Sequence, residues 1–217
     1  MRGTAVARPA AGLAAALLAG ALIACAGLER NPRVVGTYSD KLSPYNFRED
    51  GALVTMVVGV DAARYIRDEP YFPLFVQLLN KTRETFHVTR EAFVLEDSLG
   101  RQYSLAPARE VSEKYARVDL DRRAFQRNRS ITATYVAIYR RIGSDFFPSS
   151  ARFTVVHDRV SVPPKTFLED VLYFPVPEGG LNDVPLRLLF KDKALEEPIQ
   201  VVFEVPRTLG VFEKEDD

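Results

Sequence analysis

Beyond residue 51 the chain runs in short apolar stretches separated by turn residues. Within them apolar side chains recur at every second position, the period of a strand. Ala52 to Val60 is β-branched and bounded by Gly51 and Asp61. Phe72 to Leu79, beside Pro70 and Pro73, places Leu74, Val76 and Leu78 on one face and Phe75, Gln77 and Leu79 on the other. Phe86 to Leu95 continues the pattern. Asp97-Ser98-Leu99-Gly100 then predicts a hairpin turn, with Gly100 as its left-handed residue and Gln102 to Leu105 returning. A second group of strands is expected at Phe153 to Val156, Val160 to Val162 and, after Pro163-Pro164, Val171 to Val176. Two alternating runs close it, one built on Leu186, Leu188 and Phe190, the other on Ile199, Val201, Phe203 and Val205. Short strands at intervals of about ten residues, each with an apolar face to cover, predict a β-sandwich.

The stretch between the two groups follows another period. Pro107 to Arg117 opens with a helix-tolerant proline and carries Val111, Tyr115 and Val118 at the spacing of one helical face. Asp119 is placed to cap a further short helix through Phe125. Ser130 to Arg141 reads two ways. Its Thr, Val and Ile content suits a strand. Ser130 as a cap, Gly143 as a stop and Ile131, Tyr135 and Ile138 along one face suit a helix, and the balance tips to helix. Residues 106–150 are therefore expected to form a helical insertion.

Three motifs carry a resemblance. Phe72-Pro73-Leu74-Phe75-Val76-Gln77-Leu78-Leu79-Asn80 ends a strand in Asn. Asp97, Gly100 and Tyr103 fit a "D-x-x-G-x-x-Y" hairpin. Leu172-Tyr173-Phe174-Pro175-Val176-Pro177 precedes the final pair of strands. Together they resemble immunoglobulin-like sandwiches of exported bacterial proteins, over roughly 52–105 and 151–205. The resemblance implies a mainly β, immunoglobulin-like antiparallel β-sandwich spanning 52–205 with a helical insertion, and transfers no catalytic residue.

The N-terminus changes the picture. Arg2 and Arg8 precede an uncharged apolar run, Ala10 to Ala24, shorter than the roughly 20 residues of a bilayer span. A basic start and a short apolar core read as an export signal. Leu22-Ile23-Ala24-Cys25 resembles the lipobox of bacterial lipoproteins. The resemblance implies that residues 1–24 are a signal peptide, and that Cys25 carries a diacylglycerol and becomes the new, often acylated, N-terminus. Two or more acyl chains anchor a protein stably. Ala26 stands where an aspartate commonly marks inner-membrane retention, which resembles an outer-membrane-sorted protein of a Gram-negative envelope. Residues 25–51, with Pro32, Gly36 and Pro44 among many charges, read as a lipidated cysteine and flexible tether, and 206–217 as an acidic tail.

Composition narrows the chemistry. Cys25 is the only cysteine, so its lipidation would leave no thiol for a disulfide, a metal or nucleophilic attack. From Cys25 onward, 27 basic residues face 29 acidic ones, with no basic excess to suggest nucleic acid. The two histidines, His87 and His157, lie in or beside strands, and His157 and Asp158, as strand neighbours, would point apart. No serine-hydrolase elbow, zinc-protease helix motif, phosphate loop or dinucleotide fingerprint occurs. Glu96-Asp97 and Glu169-Asp170 are the carboxylate pairs open to sugar chemistry, and both read as turn or strand-edge residues. No enzyme, metal or cofactor is expected.

One charge feature stands out. Nine basic residues between 106 and 143 face four acids, Glu110, Glu113, Asp119 and Asp121. Arg117, Arg122, Arg123, Arg127, Arg129, Arg140 and Arg141 form a candidate patch for an anionic partner, against the alternative of a solvated helical face with internal ion pairs. The expected function is a non-enzymatic envelope lipoprotein that binds another envelope protein through a strand edge or the insertion. The alternative is a carrier of a small envelope ligand, with its pocket between insertion and sandwich.

Overall fold

The computed structural model describes residues 39–148, 155–193 and 195–206. The signal peptide, Cys25, most of the tether and nearly all of the acidic tail lie outside the described residues.

The longest apolar run becomes β4, Tyr71–Asn80, buried at every position. Its antiparallel neighbours are β3, Val54–Gly59, and β10, Thr166–Pro175. They belong to a six-stranded sheet, which β1 (Asp40–Ser43) and β2 (Asn46–Asp50) extend on one side and β8 (Arg140–Gly143) on the other. A four-stranded antiparallel sheet is ordered β12 (Ile199–Glu204), β11 (Pro185–Phe190), β6 (Phe93–Glu96) and β7 (Gln102–Ser104). Strands β5 (Phe86–Thr89) and β9 (Arg159–Val162) pair separately. The two larger sheets share one core. Phe47 of β2 meets Phe203 of β12 at 6.3 Å between ring centroids, and Leu74, Val76 and Leu78 join Leu186, Leu188 and Phe190.

The three resemblance motifs prove to be packing devices. Asn80 donates to the carbonyls of Glu84 and Val162, both at 2.8 Å, and accepts from Thr82, so it staples the following loop to the end of β9. Asp97 accepts from the backbone N–H groups of Leu99 and Arg101 and from the Tyr103 hydroxyl, which closes the hairpin around Gly100 at φ 79°. Leu172, Tyr173 and Phe174 are buried in β10.

Several expectations fail in instructive ways. Residues 40–50, assigned to the tether, form β1 and β2. Only Phe47 of their alternating residues enters the large core, so they lack the apolar signature of an interior strand. Phe86 to Leu95 breaks at a short 3-10 turn, Arg90–Ala92, and its halves join different sheets. Residues 155–156 are not strand, and 153–154 lie outside the described residues. The two helices expected at 119–125 and 130–141 are one, α2, Val118–Val136, preceded by α1, Ala108–Lys114. Ser130 is interior to α2 and caps nothing. The rest of 130–141 turns into β8, which pairs parallel to β10, so the six-stranded sheet is not wholly antiparallel.

Candidate functional site

The insertion concentrates the ionisable groups, and α2 sets their arrangement. The helix lies along the outer face of β3, β4 and β10. Phe125 packs edge-on to Phe75 at 4.9 Å, and Val136 meets Leu79 and Phe167 eleven residues further on. Between them Asn128 presses on Gly59. A Cβ there would lie 2.2 Å from its Nδ2, so only glycine admits this approach.

The face of α2 that meets the sheet is polar. Asp121, Asn128 and Thr132 are buried with Ala124 and Val136. Asn46 donates to the Asn128 carbonyl oxygen at 2.7 Å. Tyr115 donates to Asp121 at 2.7 Å. Burial raises the Asp121 carboxyl to about 6, although the Tyr115 hydroxyl, Arg117 and Tyr173 favour its charge. The Tyr115 and Tyr173 hydroxyls are pushed up too, first by burial and then by the nearby Asp121.

Adjacent residues of β10 point to opposite faces, so Glu169 and Asp170 diverge. Glu169, whose side chain is 1% exposed, takes Arg129 at 3.0 Å and Arg141 at 3.3 Å, and accepts from Gln77. Asp170 accepts from the Ser144 hydroxyl and the N–H groups of Phe146 and Val171. Complete burial still raises its carboxyl. This pair was expected at a turn or strand edge and is instead in the middle of a ten-residue strand.

The seven candidate arginines therefore do not form one patch. Arg129 and Arg141 neutralise Glu169. Arg122 donates to the carbonyls of Phe147 and Pro148, and Arg117 favours the charge of Asp121. Arg123 is exposed and, among the described residues, bonds only to its own helix, at the Asp119 carbonyl. Arg127 and Arg140 are exposed, with no ion pair to a described residue. Sequence reasoning missed Asp121, Ser144, Gly59 and Asn128, because no motif marks a contact between residues so distant along the chain. Ile131, Tyr135 and Ile138, read as one face of a helix, are all exposed.

Both histidines are exposed, and His87 shares a hydrogen bond with Ser161. Among the described residues no group of three or more His, Cys, Asp or Glu could hold a metal ion. No helix there is long and apolar enough to cross a membrane. The space between insertion and sheet, beside Gly59, Phe75, Asp121 and Asn128, is about 10 Å³, too small for a ligand. Larger cavities lie away from the insertion. One, about 410 Å³, reaches Val54, Phe86 and Phe190 between exposed Leu53 and Arg83. A second, about 660 Å³, adjoins it and shares Leu53, Val54 and Leu195, and a third, about 630 Å³, is an open hollow beside His87, Arg159 and Lys191.

No family model matches the chain, and no curated protein does. A crystal structure of a Bacillus subtilis protein described as a candidate lipoprotein, ycdA, is similar over 72% of this chain and 38% of its own, at 10% identity and a TM-score of 0.39. The chain thus spans less than half the length of that neighbour. At this likeness neither a fold nor a role passes from one protein to the other.

Proposed function

We propose that the chain is a non-enzymatic lipoprotein of the cell envelope. Lipid on Cys25 holds it to a membrane, outer rather than inner in a Gram-negative cell. An immunoglobulin-like frame of two sheets over one core presents a binding end to another envelope protein. The observation that carries this reading is the condition of the acids. Catalytic carboxylates must reach a substrate, but Asp97, Glu169 and Asp170 are buried and occupied by hydrogen bonds or ion pairs within the fold. Asp121 is the perturbed acid most like a catalytic one, and the space beside it is about 10 Å³.

Strand addition gains little support. The edge strands β1, β7 and β8 have three or four residues each, and Ser39 already covers part of β12 through Val202. The sandwich end, with its two adjoining cavities and exposed Leu53, is the better surface for a partner's side chains. The same 410 Å³ cavity favours a second reading, carriage of a small envelope ligand, with the site at the sandwich end instead of under the insertion.

The test is in-cell photocrosslinking from position 83. The first reading expects one partner protein in stoichiometric yield, lost in Leu53→Arg and in Cys25→Ala. A small molecule extracted from the purified protein, with no protein crosslink, would favour the second. Neither product would contradict both.

A further inference from the structure

Helix α2 has its polarity turned around. Leu120, Arg123, Arg127, Ile131 and Tyr135 follow one another at spacings of three or four residues along its outward side, and Ile138 extends the line just beyond its last turn. Leu120 and Ile131 are each 48% exposed, Tyr135 43% and Ile138 85%. Leu120, Ile131 and Tyr135 are thus spent on the surface, while Phe125 and Val136 pack on the sheet beside buried Asp121, Asn128 and Thr132. From Arg122 to Gly143 the chain has six arginines and no acid. Arg129 and Arg141 are used against Glu169 and Arg122 against the carbonyls of Phe147 and Pro148, which leaves Arg123, Arg127 and Arg140 facing outward.

We propose that this stripe lies in the headgroup layer of an anionic lipid bilayer, the membrane to which the chain is anchored. The proposal rests on the lipid-anchor reading of Cys25. Separate apolar side chains interleaved with arginines along an exposed helix face suit a soft interface. There the aliphatic tips enter the acyl boundary and the guanidinium groups meet phosphates. Tyrosine favours the same depth. A hollow of about 220 Å³ beside Tyr65, Leu120, Arg123 and Arg127 has room for a headgroup.

The length of the chain leaves the stripe within reach of the membrane. Thirteen residues lie between Cys25 and Ser39, a span of at most about 50 Å. The strand that follows Ser39 lies at the helix's C-terminal end. Asp40 pairs with Arg48 at 3.0 Å, and the Arg48 guanidinium sits 5.7 Å from the centre of the Tyr135 ring. A tethered surface needs little intrinsic affinity, because the anchor supplies the local concentration.

The chain contains no tryptophan, so a single introduced one reports its surroundings. The lipidated full-length product would be reconstituted with Ile131→Trp, or with Leu99→Trp on the exposed hairpin, in vesicles with and without phosphatidylglycerol. The expected result is a blue shift of Ile131→Trp of roughly 10 nm and quenching by brominated acyl chains in anionic vesicles. The effect should be reduced at least twofold in neutral vesicles or by Arg123→Ser with Arg127→Ser, while Leu99→Trp stays water-like. Ile131→Trp as exposed to aqueous iodide as Leu99→Trp, in protein that floats with the vesicles, would overturn the docking. Equal quenching in neutral vesicles would overturn its dependence on anionic lipid. Failure to float, with no acylated cysteine, would mark the anchor reading as the part that failed.

Discussion

On its inner face the six-stranded sheet meets Phe190, Phe203 and Leu188, and the acid on that face, Asp170 between Leu168 and Leu172, is held by Ser144 and by the N–H groups of Phe146 and Val171. On its outer face it meets Asp121, Asn128 and Arg129 of α2, and the contact is held by hydrogen bonds and ion pairs around Glu169. The inner contact gains stability from the area it removes from water. The outer contact gains position, since a buried ion pair about offsets its own desolvation and returns little net stability. A helix docked in this way leaves its apolar residues free for a surface, and that freedom is the basis for assigning α2 an external role.

Substitutions should separate the two faces. Phe190→Ala is expected to cost about 3–5 kcal/mol and to lower the denaturation midpoint of both sheets together. A transition confined to the insertion would show that the inner core does not unify the domain.

Asp121→Asn should act through pH. The folded carboxyl titrates at about 6 against an ordinary 3.8, so the folded state holds that proton more tightly. Its contribution is fully present below about 4 and is lost as pH rises through about 6, up to about 3 kcal/mol in all. Asparagine keeps an acceptor for Tyr115 and cannot ionise. The variant should therefore lose less stability than the parent between pH 4 and pH 7 in paired urea titrations. Parallel curves would place the Asp121 proton elsewhere.

Gly59→Ala brings a Cβ within 2.9 Å of Asn128, Asn46 and Phe75. It should cost about 1–3 kcal/mol, with amide exchange rising in α2 while β11 and β12 stay protected. Arg127→Ser, at an exposed position with no ion pair to a described residue, should change stability by less than about 0.5 kcal/mol. A larger loss would show that Arg127 belongs to the internal ion pairs.

The inner face was the legible one. The alternation around Leu74, Leu188 and Val201 predicts β4, β11 and β12, and the Asp97–Gly100 turn is where the sequence places it. Those signals are local, an apolar face repeating every second residue. The outer face has no such signal. Glu169 reads as solvent-facing until Arg129, forty residues earlier, comes to rest on it. Strand β8 was hidden because Arg140 and Arg141 are exposed and its partner is parallel and distant in sequence. Strands β1 and β2 were hidden by Asp40, Lys41, Arg48, Glu49 and Asp50, charges that break the apolar alternation even though β2 pairs on both sides. For the candidate site, the sequence located the arginine-rich segment and left open which arginines face inward.

Whether the protein is a membrane-anchored lipoprotein is decided by its intact mass when extracted from bacterial membranes after expression of the full chain. The expected product begins at Cys25 and carries a thioether-linked diacylglycerol. A product that retains residues 1–24, or one cut elsewhere with a free Cys25 thiol, would contradict it.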